Sequence, residues 1–182
     1  IHLYTDYLSQ LNNKENNYLI ITTRPSETIQ GYKEIFDRYI EFQNFKIFNS
    51  QEDNIKNIDY NDNNIIICSK QYLEDKGFIK NKKNKKKTSQ KDGKYNLIDV
   101  KKLKCIFTDE FHMGGCSKNS IKMINHFINK PIINMTGTFN KVLYQYKIKD
   151  DNSYYWDLVD IKNCKNSDFN LLKFNINDIT EG

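Results

Sequence analysis

Short apolar runs alternate along the chain with stretches in which apolar residues recur every three or four positions. The short runs are bounded by Asn, Asp or Ser and predict buried strands at residues 18–21, 45–48, 65–68, 105–108 and 132–135. The periodic stretches predict amphipathic helices over residues 2–11, over residues 118–129, and after Ser26, which can cap a helix. In the helix over residues 118–129, the predicted buried face consists of Ile121, Ile124, Phe127 and Ile128. In the helix after Ser26, it consists of Ile29, Tyr32, Ile35, Phe36 and Tyr39.

Apolar strands separated by amphipathic helices predict an α/β fold, with a mostly parallel sheet covered by helices on both faces. Ligand sites in such sheets lie at the carboxyl ends of the strands. Four polar clusters follow predicted strands: TTRP at residues 22–25, CSKQ at 68–71, TDEFH at 108–112 and TGT at 136–138. We therefore expect these clusters to meet at one edge of the sheet.

The sequence also contains a strongly basic segment. The net charge of +5 is concentrated in KNKKNKKKTSQKDGK, residues 80–94, so residues 77–96 are predicted to form a mobile, Lys-rich surface insertion. This segment could bind DNA, but it lacks the interleaved aromatic residues of a single-strand binder, which favours a solvated insertion. No run approaches the ~20 apolar residues that cross a membrane.

The four cysteines, Cys68, Cys105, Cys116 and Cys164, form no CxxC pair and so do not indicate a zinc ribbon. Cys68 and Cys105 are predicted to be buried free thiols. We expect a reduced, intracellular location, in the cytoplasm, with the nucleus or a viral factory left open.

The strand before residue 109 leads directly into a pair of acids, Asp109-Glu110. This is the Walker B arrangement of nucleotide hydrolases, in which the first carboxylate holds Mg²⁺ through its water shell and the second activates the attacking water. Taken alone, however, the pair is better explained as a simple polar turn at the end of a strand. A nuclease using both acids is disfavoured, since nucleases need carboxylates and a lysine on separate strands.

The motifs taken together resemble the first RecA-like P-loop NTPase domain of superfamily 2 DExH-box helicases. Asp109-Glu110-Phe111-His112 resembles the DExH box, Thr136-Gly137-Thr138 motif III, Thr22-Thr23-Arg24-Pro25 motif Ia, and Ser69-Lys70-Gln71 a DNA-contacting element. The residues Met113-Gly114-Gly115 and the later Trp156-Asp157 extend the resemblance towards helicase-like subunits of restriction, phage and giant-virus systems.

The resemblance implies a role for each matched residue. Asp109 would bind Mg²⁺, Glu110 would act as general base on the water that attacks ATP, and His112 would couple nucleotide state to Thr136, Gly137 and Thr138. Thr23, Arg24, Ser69 and Gln71 would contact phosphates of the tracked strand, with DNA expected and RNA left open.

No Gly-x-Gly-Lys-Thr pattern, the Walker A loop that cradles the phosphates of ATP, is found in the sequence. We expect this loop upstream of Ile1, with residues 1–140 forming a partial motor domain and residues 141–182 an extension towards a second RecA-like domain. A nuclease domain or subunit is a further expected partner. The alternative is a non-catalytic DNA-binding module that keeps the fold without ATPase activity.

Overall fold

A computed structural model describes residues 15–23, 25–75, 78–80, 87–89, 93–110, 115–138 and 140–153. Five parallel strands form its main sheet, in the order β2-β3-β1-β6-β7. Their bounds are Asn17–Thr22 for β1, Lys46–Asn49 for β2, Asn64–Ser69 for β3, Leu103–Asp109 for β6 and Ile132–Met135 for β7. All five predicted strands are therefore confirmed, as is the α/β, RecA-like class with its parallel sheet. The predicted helix over residues 2–11 lies outside the described residues.

In the described residues, three α-helices lie between strands along the chain and a fourth follows the last strand. They are α1 at Pro25–Arg38, α2 at Lys70–Glu74, α3 at Lys118–His126 and α4 at Asn140–Tyr146. Two further strands, β4 (Phe78–Lys80) and β5 (Lys87–Ser89), pair antiparallel within the Lys-rich segment. None of the helices in the described part of the chain has the length and apolar character required to cross a membrane.

The central strands are buried on both faces because their apolar runs are continuous. One face packs against α1 and the turn that follows it, in a cluster of Tyr18, Ile20, Ile65, Ile67, Cys105 and Phe107 with Ile29, Phe36 and Phe42. The alternate residues Leu19, Ile66 and Ile106 point to the opposite face and are also fully buried. Leu73 of α2 and Met123 of α3 are buried as well, and these two helices contact each other.

The helix boundaries correct several sequence expectations. Helix α1 begins at Pro25, so Ser26 lies within its first turn and not at the cap position predicted from the sequence. Proline suits the first helical position because it needs no N–H there. Ile35 and Tyr39 are 45% and 47% exposed, so only part of the predicted stripe is buried. Ile128 is 65% exposed because α3 ends at His126, and residues beyond that end no longer follow the helical spacing.

The predicted surface insertion is shorter than expected at its carboxyl end. Tyr95 is 8% exposed and its ring lies 5.3 Å from that of His126. Gly93 is also buried, and a Cβ there would clash with the backbone oxygen of Leu73. Residues 93–96 therefore belong to the packed domain.

The chain divides into two units, residues 1–146 and 147–182. The first ends with helix α4. The sequence places the boundary after residue 140, at the start of this helix. In the second unit the described residues are 147–153, with one 3₁₀ turn at Asp150–Asn152.

A buried pair of asparagines joins strands β1 and β3 at the amino end of the sheet. The Asn64 side-chain amide donates to Asn17 Oδ1 at 2.6 Å and to the backbone oxygen of Asp59 at 2.8 Å. Asn17 Nδ2 in turn donates to the Tyr60 backbone oxygen at 2.9 Å. These bonds satisfy polar groups that would be costly to bury unpaired, and they fix the end of the sheet opposite the predicted site.

Candidate active site

The carboxyl ends of the parallel strands place several predicted residues on one edge of the sheet. Thr22, at the end of β1, lies in register with Ser69 of β3 on one side and Asp109 of β6 on the other. Asp109 is in turn in register with Met135 of β7, directly before Thr136. The structure thus brings the predicted phosphate-contacting, catalytic and motif III segments to one edge, although their roles stay predictions.

Asp109 and Glu110 stand at the end of β6, both partly buried. Burial raises the pKa of Asp109, and the adjacent negative charge of Glu110 raises it further. Hydrogen bonds from the Tyr32 side chain and the Glu110 backbone act in the opposite direction and lower that pKa. Two neighbouring carboxylates with this mutual repulsion form a site that a divalent cation would neutralise.

Glu110 has a left-handed backbone conformation, with φ of 50°. A non-glycine residue in this region is uncommon and costs about 1 kcal/mol or more, so the surrounding structure must impose it. The conformation ends the strand sharply after Asp109. Consequently the two acidic side chains leave the backbone from a bend, as expected where side chains are directed towards a ligand.

Tyr32, on helix α1, is a site residue that the sequence analysis assigned only to the core. Its hydroxyl hydrogen-bonds to the Asp109 carboxylate, while its ring stacks on Phe36 with centroids 6.2 Å apart. Burial and the negative charges of Asp109 and Glu110 raise the pKa of the Tyr32 hydroxyl, which therefore stays protonated and donates. The helical spacing from Ile29 predicts that the Tyr32 ring is buried, but it does not predict which group the hydroxyl contacts.

The residues after β1 and β3 are connected to each other. Gln71 Nε2 donates to the Thr23 backbone oxygen at 3.2 Å. Ser69 Oγ accepts from Tyr72 N at 3.0 Å and so caps helix α2, which leaves its hydroxyl proton available to donate. The Thr23 side chain is 9% exposed, and its buried Oγ1 has no hydrogen-bond partner in the described structure. Arg24, predicted to act with them, lies outside the described residues.

Ser50 extends this edge by one strand and was missed in the sequence. It follows β2, is 8% exposed, and its Oγ accepts a hydrogen bond from Ser69 N at 3.3 Å. The polar pair Asn49-Ser50 directly after the predicted strand at residues 45–48 is the signal that could have identified it.

The motif III residues form a compact, partly exposed turn. Thr136 Oγ1 donates to the Thr138 backbone oxygen at 3.1 Å and accepts from Thr138 N at 3.3 Å, with Gly137 between them. Within the sheet, one residue before Asp109, Thr108 Oγ1 donates to Asn134 Oδ1 at 2.7 Å and so connects β6 to β7. His112, predicted to couple to this turn, lies outside the described residues, as do Phe111, Met113, Gly114, Trp156 and Asp157.

The acidic pair has the type of ligand that Mg²⁺ prefers. Among the residues that the structure describes, no three His, Cys, Asp or Glu side chains cluster closely enough to hold a metal. Mg²⁺ keeps several waters and needs only one or two carboxylates, which Asp109 and Glu110 provide. The partly buried, mutually repelling acids therefore fit this ion.

Comparison with known proteins identifies the family. Residues 2–141 match the family model described as type III restriction enzyme, res subunit. No curated protein and no solved structure matches the chain. The expected likeness to helicase-like subunits of restriction systems is confirmed at the level of the family, which also agrees with the RecA-like sheet. The chain belongs to the family of type III restriction enzyme res subunits, a family of helicase-like ATPase motors.

Proposed function

We propose that this chain carries the hydrolytic carboxylates of an ATP-driven DNA helicase or translocase that acts in a restriction-like defence system. The observation that supports this most strongly is the shared sheet edge. Asp109 stands beside the end of β1, whose next residue is Thr23, and the end of β1 also borders Ser69. A motor needs this proximity because nucleotide hydrolysis must change the conformation of the residues that bind the nucleic acid.

Asp109 and Glu110 would divide the chemistry between them. Asp109 would hold Mg²⁺ through its water shell, and the ion would neutralise charge on the phosphates of ATP. Glu110 would orient the attacking water and accept its proton on a carboxylate oxygen. Tyr32 keeps the Asp109 carboxylate in place and favours its ionised form, which is the form that binds a cation.

The nucleic acid would lie along the ends of β1 and β3. The Ser69 hydroxyl, whose proton is not used by the helix cap, can donate to a phosphate oxygen. The Thr23 hydroxyl, which is buried and has no hydrogen-bond partner among the residues that the structure describes, can donate in the same way. Arg24 would add a positive charge, and Gln71 would hold the two segments together through the Thr23 backbone oxygen. Such contacts do not read base sequence, so RNA stays an alternative to DNA.

The motor requires parts beyond these residues. We propose that a Walker A loop and a second RecA-like domain of the same protein complete the ATP site, and that a nuclease domain or subunit uses the translocation. His112 would relay the state of the nucleotide to Thr136 and Thr138. We further propose an intracellular, cytoplasmic location, as expected for a protein that acts on foreign DNA.

The test is ATP hydrolysis by the full-length gene product with Mg²⁺, measured with and without double-stranded DNA. We expect DNA to stimulate the rate, and Glu110→Gln to lower it by about 10²–10⁴-fold, the usual contribution of a general base. Glu34→Gln, on the exposed side of α1, is the matched control. A Glu110→Gln protein as fast as its parent would disprove the assignment of the base.

Two further outcomes bear on the proposal. Residues 1–182 alone should hydrolyse ATP negligibly, because the sequence lacks a Walker A loop. If the full-length protein binds DNA but hydrolyses no ATP under any of these conditions, the domain is a non-catalytic binding module instead.

A further inference from the structure

Helices α2 and α3 are joined by a polar contact that the site described above does not use. Ser120 Oγ on α3 donates to Glu74 Oε1 on α2 at 2.6 Å. The same carboxylate oxygen lies 3.4 Å from the ammonium nitrogen of Lys70, one helical turn earlier. The side chains of Lys70 and Glu74 are only 12% and 16% exposed, so this ion pair is much less screened by water than a surface pair.

On one side, this contact leads towards the acidic pair. Ser117 Oγ lies 2.7 Å from Ser120 Oγ and accepts from Ser120 N at 3.2 Å, so it caps helix α3. Only residues 111–116 separate Glu110 from Ser117. Gly115 of that segment accepts a 2.6 Å hydrogen bond from the Tyr146 hydroxyl of α4, and the negative charge of Glu74 contributes to raising the pKa of that hydroxyl, after burial and Cys116.

On the other side, it leads towards the proposed nucleic-acid contacts. Lys70 stands between Ser69, at the end of β3, and Gln71, whose amide bonds the Thr23 backbone. A phosphate near Ser69 would compete with Glu74 for the Lys70 ammonium group. The carboxylate of Glu74 would then depend more heavily on Ser120. The shared carboxylate would then have two alternative arrangements, one with and one without Lys70, as a coupling element requires.

We propose that Glu74 is a positioning residue that transmits nucleic-acid binding at Ser69–Gln71 to the segment following Glu110, through its shared contacts with Lys70 and Ser120. This inference rests on the proposed motor function and adds its regulation to it. Glu74 does not touch ATP or nucleic acid in this scheme. It changes the geometry of the helix that begins after the acidic pair.

The test compares Ser120→Ala, Glu74→Gln and the double variant of the full-length protein in ATP hydrolysis with and without saturating double-stranded DNA. Ser120→Ala removes the bond between the helices, and Glu74→Gln removes the charge that attracts Lys70. We expect basal hydrolysis to stay within about twofold of the parent, and the stimulation by DNA to fall by about two- to thirty-fold. The double variant should lose little more than either single one, because both act on one contact.

Glu34→Gln provides the same change of charge at an exposed site and should keep full stimulation. A purely structural role for Glu74 would lower the basal and stimulated rates in the same proportion, and that result overturns the inference. Unchanged stimulation by DNA in both single variants also overturns it. A parent protein whose hydrolysis does not respond to DNA would instead overturn the proposed function, and this inference with it. Thermal unfolding of each variant shows whether it is folded. If both single variants are unfolded, the contact is structural and the inference fails.

Discussion

The hydroxyl of Tyr32, on helix α1, donates a hydrogen bond to the carboxylate of Asp109, at the end of strand β6. This bond connects the helix that follows the predicted phosphate-contacting segment to the acid that is predicted to bind Mg²⁺. It supplies the main side-chain interaction that counteracts the effect of burial and of Glu110 on the pKa of Asp109.

Tyr32→Phe should therefore weaken the binding of Mg²⁺ more than it lowers the stability of the fold. The ring keeps its stacking on Phe36, while Asp109 loses a donor, so the pKa of Asp109 rises and its orientation loosens. We expect the Mg²⁺ concentration for half-maximal ATP hydrolysis to increase by about three- to tenfold, as for the loss of about 1 kcal/mol of hydrogen bonding. A Mg²⁺ titration at fixed ATP measures this. Tyr39→Phe, on an exposed tyrosine, is the control, and equal titrations for parent and Tyr32→Phe would contradict the prediction.

Asp109→Asn should make the protein more stable and less active. The folded-state pKa of Asp109 is raised, so the folded chain binds more protons than the unfolded chain between the two pKa values, and stability falls as pH rises through that window. Removing the charge should increase the free energy of unfolding at pH 7. The advantage should disappear below about pH 4, where the acid is protonated in both states.

Urea unfolding of parent and Asp109→Asn at several pH values gives this comparison. Asp99→Asn is unsuitable as a control because Asp99 accepts a capping hydrogen bond, whereas Asp151→Asn changes an exposed acid in the 3₁₀ turn of the second unit. A stability difference that is constant between pH 4 and 7 would refute the electrostatic explanation.

Glu110→Gly should stabilise the fold while abolishing hydrolysis. Glycine adopts the left-handed conformation of residue 110 without steric cost, so the free energy of unfolding should increase by about 0.5–1 kcal/mol. Glu110→Ala removes the same carboxylate but keeps a Cβ, and should not gain this stability. If the alanine and glycine variants unfold at the same urea concentration, the backbone at residue 110 carries no strain.

The asparagine pair at the amino end of the sheet should matter for stability alone. Asn64→Ala removes the buried amide that donates to Asn17 Oδ1 and to two backbone oxygens, at a cost of about 3 kcal/mol. Asn57→Ala, at an exposed position, should cost less than about 0.5 kcal/mol. Denaturant unfolding measures both. ATP hydrolysis per folded molecule should not change, and a large loss of specific activity in Asn64→Ala would show that the two ends of the sheet are coupled.

The sequence was informative where one physical rule dominated. Continuous apolar runs such as Ile65–Ile66–Ile67 can be satisfied only by burial on both faces, so the five strands and their parallel arrangement followed. The carboxyl-end rule then placed Thr23, Ser69, Asp109 and Thr136 on one edge. Helix faces were less predictable, because Ile35 and Ile128 fit the helical period but the ends of the helices and the limited width of the sheet leave them exposed.

The side-chain partners within the site could not have been predicted at all. A tyrosine at core spacing gives no indication that its hydroxyl reaches an acid on a different element, as Tyr32 does with Asp109. The same holds for Glu74 and Ser120, which are 46 residues apart in sequence. Such contacts depend on how two helices lie against each other, and the order of strands and helices along the chain does not encode that geometry locally.

The reactivity of two thiols within the central sheet can be used to measure how often the sheet opens. Cys68 on β3 and Cys105 on β6 are fully buried cysteines on the two strands that flank β1, and neither forms a disulfide with a residue that the structure describes. Burial raises the pKa of the Cys68 thiol to about 12. Only a thiolate reacts readily with disulfide reagents, so modification requires the strands to separate. The rate at which these thiols are modified therefore measures how often the sheet opens.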